Sequence, residues 1–205
     1  MGVKYNMKIR TVMLAVCGLA VASSPAMAHP QLILAGNAGG LVAGFCHPWL
    51  GLDHLLAMIA VGLLSVRLGR RAIWILPASF LGLMTLGGAI GMAGIGFHRV
   101  EFGVALSVVV LGLALASGRR SPLFASAVIV GAAGLLHGHA HGTEIPAMVA
   151  PVLYAAGFIS ATAVLHLTGI VAGTWLVDNN RRAVAIRLAG AAISCAGLLL
   201  LSGTL

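Results

Sequence analysis

The sequence predicts an all-α integral membrane protein, with a cleaved signal peptide followed by about six transmembrane helices. Three observations carry this. Of 205 residues, 60% are hydrophobic and only 8% are charged, at a mean hydropathy of +1.07, whereas a soluble domain carries roughly 25% charged residues. The apolar residues gather into runs long enough for a bilayer, which needs about 20 residues per helix. The basic residues fall in short clusters between those runs. In a soluble chain a formal charge of +8 would point to nucleic acid, but clusters placed between spans act as topology signals, so the partner implied is the lipid bilayer and not a nucleic acid.

The elements follow in order. Residues 1–28 carry Lys4, Lys8 and Arg10, then the apolar run Thr11–Ala22, then Ala26-Met27-Ala28. A basic region, a short apolar core and an A-x-A site make a secretory signal peptide cleaved after Ala28. That leaves residues 29–205 as one polytopic membrane domain beginning at His29. An uncleaved first helix is the alternative, and the run is short for it. The Gly-rich lead "LILAGNAGGLVAGFC" is read as a half-helix or re-entrant piece, because Pro48 should break or kink a helix passing through it. Six spans are then predicted at about 49–66, 72–96, 102–118, 122–140, 147–176 and 183–203.

Arg67, Arg70 and Arg71 follow the first span, Arg119 and Arg120 follow the third, and Arg181, Arg182 and Arg187 surround the junction of the last two. The other side holds only Arg99. The positive-inside rule puts the segments of Arg70, Arg120 and Arg182 in the cytoplasm. The mature N-terminus, the 97–101 loop with His98, the 137–146 region and Leu205 then face the periplasm or exterior, as expected for a bacterial inner-membrane protein with an exported N-terminus. Runs such as "LGGAIGMAGIG" are read as close helix packing. Of the cysteines, Cys17 leaves with the signal and Cys195 lies in the last span. Cys46 precedes His47, where a small buried apolar role is favoured over a soft metal ligand.

Against this apolar background, ionisable residues inside spans call for a reason, since each costs about 2.5 to 3.5 kcal/mol on insertion scales. Two clusters concentrate them. "HPWLGLDH" carries His47, Asp53 and His54. On one continuous helix the two histidines would share a face within about 20° and lie roughly 10 Å apart along the axis, with Met58 a turn beyond His54. Asp53 would point about 100° from His54, suited either to orienting an imidazole or to ligation toward a neighbouring helix. "HGHAHGTE" carries His137, His141 and Glu144 at spacings of four and three. They line one stripe if the helix persists, and can still converge if the glycines unwind it. Alternating histidines with a glutamate are a stronger metal signal than any lone histidine.

Both clusters map to the outward half of the membrane. Together they offer nitrogen and oxygen ligands suited to nickel, cobalt, zinc or copper(II), and not to magnesium or calcium. His98 and Glu101, flanking Arg99, are a solvated pair or the lining of a vestibule. His166 lies mid-span and is either a helix-packing residue or a relay.

With these residues in place the chain resembles the HupE/UreJ family of hydrogenase and urease accessory membrane proteins. The resemblance rests on "HPWLGLDHLLAMIAVGL" with its H-P-x4-D-H core, on "HGHAHGTE" as H-G-x-A-H-G-x-E, and on "VLHLTG" in the fifth span. It covers essentially the whole mature chain. It implies a role in nickel supply for hydrogenase or urease maturation, with His47, Asp53, His54, His137, His141 and Glu144 as the metal positions. His139 occupies a variable, often aromatic, position of the motif.

The reading that follows is a non-enzymatic permease whose cargo is a divalent metal ion, nickel first, with a functional link to hydrogenase or urease maturation proteins. Nothing resembles a Walker A loop, so the chain itself hydrolyses no ATP. An intramembrane metal-dependent hydrolase similar in layout to the ceramidase-like enzymes is a second reading, although the sequence puts no serine beside either histidine cluster. A metal-binding accessory protein that does not transport is a third.

Overall fold

The computed structural model describes residues 37–119, 121–146, 149–176 and 180–204. The signal peptide read at 1–28, with Cys17, and His29 and Arg120 as well, lies outside the described residues. Among those residues there are seven helices and no strand. They are α1 (Asn37–Leu50), α2 (Leu52–Leu68), α3 (Ala72–Met92), α4 (Val100–Ala116), α5 (Leu123–Thr143), α6 (Pro151–Leu176) and α7 (Asn180–Ser202). Helices α3, α5, α6 and the Ala183–Ser202 part of α7 are long and apolar enough to cross a membrane. The pair α1 and α2, bent by 80° at its break, makes a fifth candidate if taken as one span. The 17-residue α4 is about 25 Å long, somewhat under a typical hydrocarbon core.

The outer surface is the inverse of a soluble protein's. Trp74, Phe124, Val152 and Trp175 are each more than three-quarters exposed, and a bundle covered with such side chains suits lipid. Inside, α2 is the central element, with His54, Met58, Val61 and Leu64 among its buried residues. It packs against α6, α3 and α4.

Helix contacts are close because glycines carry them. A Cβ on Gly138 of α5 would run into the Met84 carbonyl of α3, and one on Gly62 of α2 into the His166 carbonyl of α6. In a membrane, where burying apolar surface between helices gains little over lipid, this backbone proximity is a main source of association.

Two differences from expectation shape the site. Helix α1 runs through Pro48, and the chain breaks three residues later at Gly51, which is extended at φ −85°, ψ 115°. Proline removes one N–H and crowds the carbonyl four residues back, but the turn that follows can still close. The actual stop is glycine, where the Gly51 N–H still donates to the His47 carbonyl at 3.3 Å and the Gly51 carbonyl accepts from Leu55 at 3.0 Å. Consequently His47 and His54 do not share one helical face. They sit on two helices either side of the bend, with ring centroids 6.0 Å apart. Cys46, expected as a buried filler, is a free thiol on the exposed side of α1.

At the end of the bundle opposite the histidine clusters, arginines close the helix ends. Arg67 donates to the carbonyls of Ala114 and Leu115 at the C-terminus of α4 and, at 3.1 Å, to that of Arg119. Arg187 donates to the Ala116 carbonyl at 3.1 Å. Carbonyls left without helical partners are thereby satisfied by cations, the favourable sign at a helix C-terminus.

Candidate metal centre

Five helices deliver imidazoles or their supports to one place, α4 through Ser107. His47 closes α1, His54 opens α2 just past the break, His137 and His141 come from the last two turns of α5, and α6 supplies Tyr154 and Phe158. Helix α5 persists through Thr143 despite its glycines, so His137 and His141 stack one turn apart on one side of it.

The ring nitrogens converge. His54 Nε2 and His141 Nε2 meet directly, across 87 residues of sequence. The His47 ring lies 4.5 Å from that of His141, and the His137 ring 4.7 Å from that of His54. Ligand atoms of His47, His141 and Glu144 all fall within 4.8 Å of one another, with the Glu144 carboxylate at the exposed rim and its Oε2 4.0 Å from His141 Nδ1.

The far side of each ring explains its orientation. Asp53 Oδ1 accepts from the His54 backbone N–H at 2.8 Å and pairs with His54 Nδ1. A carboxylate on Nδ1–H places the lone pair on Nε2, the usual arrangement behind a metal-binding histidine. Of the two roles open to Asp53, the geometry favours orientation. Gly51 makes room for this pair, since a Cβ there would lie 2.9 Å from His54 Nδ1 and 3.0 Å from Asp53 Oδ1.

Tyr154 Oη is 2.9 Å from His47 Nδ1, and a proton on that nitrogen puts the imidazole lone pair on Nε2. Ser107 Oγ donates to the Val104 carbonyl at 2.7 Å and therefore accepts from His137 Nε2–H at 3.0 Å. The His137 lone pair then lies on Nδ1, which has no protein donor. Phe158 backs the cluster, its ring 4.3 Å from that of His141. A cavity of about 130 Å³ between α3, α5 and α6 borders His141 and Met84.

The six sequence-predicted positions thus gather in one region of the bundle. Ligand atoms of His47, His141 and Glu144 lie within 4.8 Å of one another, His54 meets His141 through Nε2, Asp53 pairs with His54, and the His137 ring packs against that of His54. His139 belongs elsewhere. Its ring stacks on Phe97 at 4.0 Å, and Nε2–H donates to the Ile95 carbonyl at 2.6 Å. His98 and Glu101 are exposed. Glu101 opens α4 within electrostatic range of Glu144, Asp53 and His54, which fits a vestibule better than an isolated surface pair.

Tyr154 and Ser107 were not anticipated. One signal pointed to Tyr154: the chain has two tyrosines, and the other is Tyr5. A buried serine on an apolar helix gives none, because serine there normally bonds its own helix backbone.

The sequence model of the family described as HupE / UreJ protein matches residues 14–200. The chain is 42% identical over 185 residues to Protein HupE of Rhizobium leguminosarum bv. viciae, an alignment covering 90% of this chain and 95% of that protein. No solved structure matches it.

Proposed function

This chain belongs to the HupE/UreJ family, and on that premise we propose that it is an inner-membrane permease importing nickel, or a related divalent ion, for hydrogenase or urease maturation. One observation carries the reading: His54 and His141, from different helices, aim their Nε2 atoms at a common point while Asp53 holds the other nitrogen of His54. Imidazoles arranged this way, joined by His47 and the Glu144 carboxylate, form a nitrogen-rich pocket matched to borderline first-row ions. Six spans with both ends of the mature chain outside put this pocket at the exterior face, where an ion gives up hydration water for imidazole before moving inward.

Initial-rate uptake of radioactive nickel into proteoliposomes holding the purified protein tests this, with cobalt, zinc and copper as competitors. Uptake above empty vesicles, inhibited first by cobalt, is the expected result, and a rate equal to empty vesicles ends the permease reading. Ligands must be unprotonated to bind, so uptake at limiting nickel should weaken once the external pH is acidic enough to protonate the buried imidazoles.

A second reading, a metal-dependent hydrolase, draws on Ser107 beside His137. Its hydroxyl proton is directed to the Val104 carbonyl and the residue is buried, a poor position for assisting attack on a substrate. Release of product from amide or ester lipids by the zinc-loaded protein would favour it.

A further inference from the structure

Deeper in the bundle lies a histidine that the outer centre does not use. His166 sits on α6 three turns beyond Tyr154, about 18 Å along the axis, beside the point where Gly62 of α2 meets the helix. It is 1% exposed, and neither Nδ1 nor Nε2 has a hydrogen-bond partner. A neutral imidazole has one N–H and one lone pair to satisfy, and leaving both unmet in an apolar interior costs several kcal/mol. A histidine needed only for packing could be a phenylalanine at no such cost. One retained with both nitrogens open suits a partner that comes and goes.

Two lines of contact join it to the outer centre. Phe80 of α3 lies between the histidines, its ring 5.7 Å from that of His137 and 5.1 Å, edge to face, from that of His166. The two imidazoles are therefore no more than 10.8 Å apart with one aromatic ring between them. On the other side, the cavity bordering His141 is also lined by Met84. The Met84 sulfur is 3.8 Å from Thr162 Oγ1, and Thr162 stands one turn before His166 on α6. Phe80, Met84 and Thr162 are all buried, so polar and soft atoms continue inward from the centre through an otherwise apolar core.

We propose that His166 is an inner transit site, at which the transported divalent ion, having left the outer histidines past Phe80 and the Met84 thioether, is held by imidazole before release to the cytoplasmic end. A single imidazole binds less tightly than the outer set, the gradient of affinity that lets an ion leave as well as enter. This rests on the permease reading of the outer centre.

The test compares His166→Phe and His166→Gln with the parent in proteoliposomes, alongside equilibrium nickel binding to each detergent-purified full-length protein. Phenylalanine preserves packing against Phe80; glutamine restores hydrogen bonding without a good nickel ligand. The expected result is that both variants bind nickel at the outer centre within about twofold of the parent while initial uptake falls roughly tenfold or more. Parental uptake in His166→Phe overturns the proposal. So does full rescue by glutamine, which would make His166 a hydrogen-bonding residue, and so does loss of outer-site binding in both variants, which would make it structural. The parent is the control for the underlying reading: without parental uptake both readings fall, whereas parental uptake with an unimpaired His166→Phe removes the inner site alone.

Discussion

Helix α5 turns two sides to the bundle, and the contrast between them shows how this fold gathers imidazoles into a candidate metal centre among apolar helices. One side carries Gly134, Gly138 and Gly142, and a Cβ at any of them would collide with a backbone carbonyl of α3. One residue out of phase, about 100° around the axis, His137 and His141 face α2 and α6, where their rings meet His54 and Phe158. The glycine side fixes α5 by backbone contact, which tolerates little sliding. The histidine side can then hold nitrogens in position without large side chains to brace them. His139 lies toward the glycine side, stacked on Phe97. Three histidines within five residues therefore divide between the candidate centre and packing against the loop after α3 according to helical phase.

The largest effects should come from the ligating side. His54→Ala and His141→Ala are each expected to abolish nickel uptake at limiting nickel, with the double variant little worse than either single one. Ligands of one ion act as a network and their losses do not add. If both variants reach the membrane in normal amounts and take up nickel like the parent, the contrast fails and these histidines belong to packing as His139 does.

Next comes the support behind the ligands. Asp53→Ala removes the acceptor for His54 Nδ1 and should weaken apparent nickel affinity about 10- to 100-fold. Asp53→Asn, which keeps an oxygen at that position, should lose less. Complete loss in both, measured as equilibrium nickel binding, would instead make Asp53 a direct ligand and sharpen the division of roles.

On the glycine side, Gly138→Ala forces a Cβ against the Met84 carbonyl. Overpacking typically costs about 1 to 3 kcal/mol. The expected signature is lower abundance and a lower melting temperature in detergent, with uptake per folded molecule reduced less than in Asp53→Ala. A variant of normal stability and no uptake would mean that the two sides are not separable.

Much of this was legible in the sequence because polar residues in an apolar chain stand out. The two histidine motifs, the helical class and the helix positions all follow from composition and run length; α3, expected at 72–96, spans Ala72–Met92, and α6, expected at 147–176, spans Pro151–Leu176. Two kinds of fact were not legible. The bend at Gly51 was placed at Pro48, because proline is the stronger local breaker, yet the helix closes its turn past it; the 80° change of direction then turned an axial spacing of about 10 Å into rings 6.0 Å apart. Tyr154 and Ser107 act through tertiary contacts 107 and 30 residues distant, which no local pattern announces. Phase along α5 was only half legible, since spacing separates His139 from His137 and His141 but does not say which side meets His54.

The smallest effect is therefore the most discriminating. His139 has the same side chain, the same helix and nearly the same depth as His137 and His141, and differs in what surrounds it. Its Nε2–H bonds the Ile95 carbonyl in the loop after α3, and its ring covers Phe97. His139→Ala removes one hydrogen bond, worth about 1 kcal/mol net, and one aromatic stack, worth about 0.5 to 1.5 kcal/mol. Both losses fall on stability. Nickel affinity and uptake per folded molecule should stay within about twofold of the parent, since no nitrogen is removed from the converging set. His139→Phe, which keeps the stack and gives up only the bond to Ile95, should recover most of the lost stability. If His139→Ala instead lost nickel binding as His141→Ala is expected to, with its melting temperature unchanged, then helical phase would not govern ligation in α5, and the centre would have to be rebuilt around all three histidines.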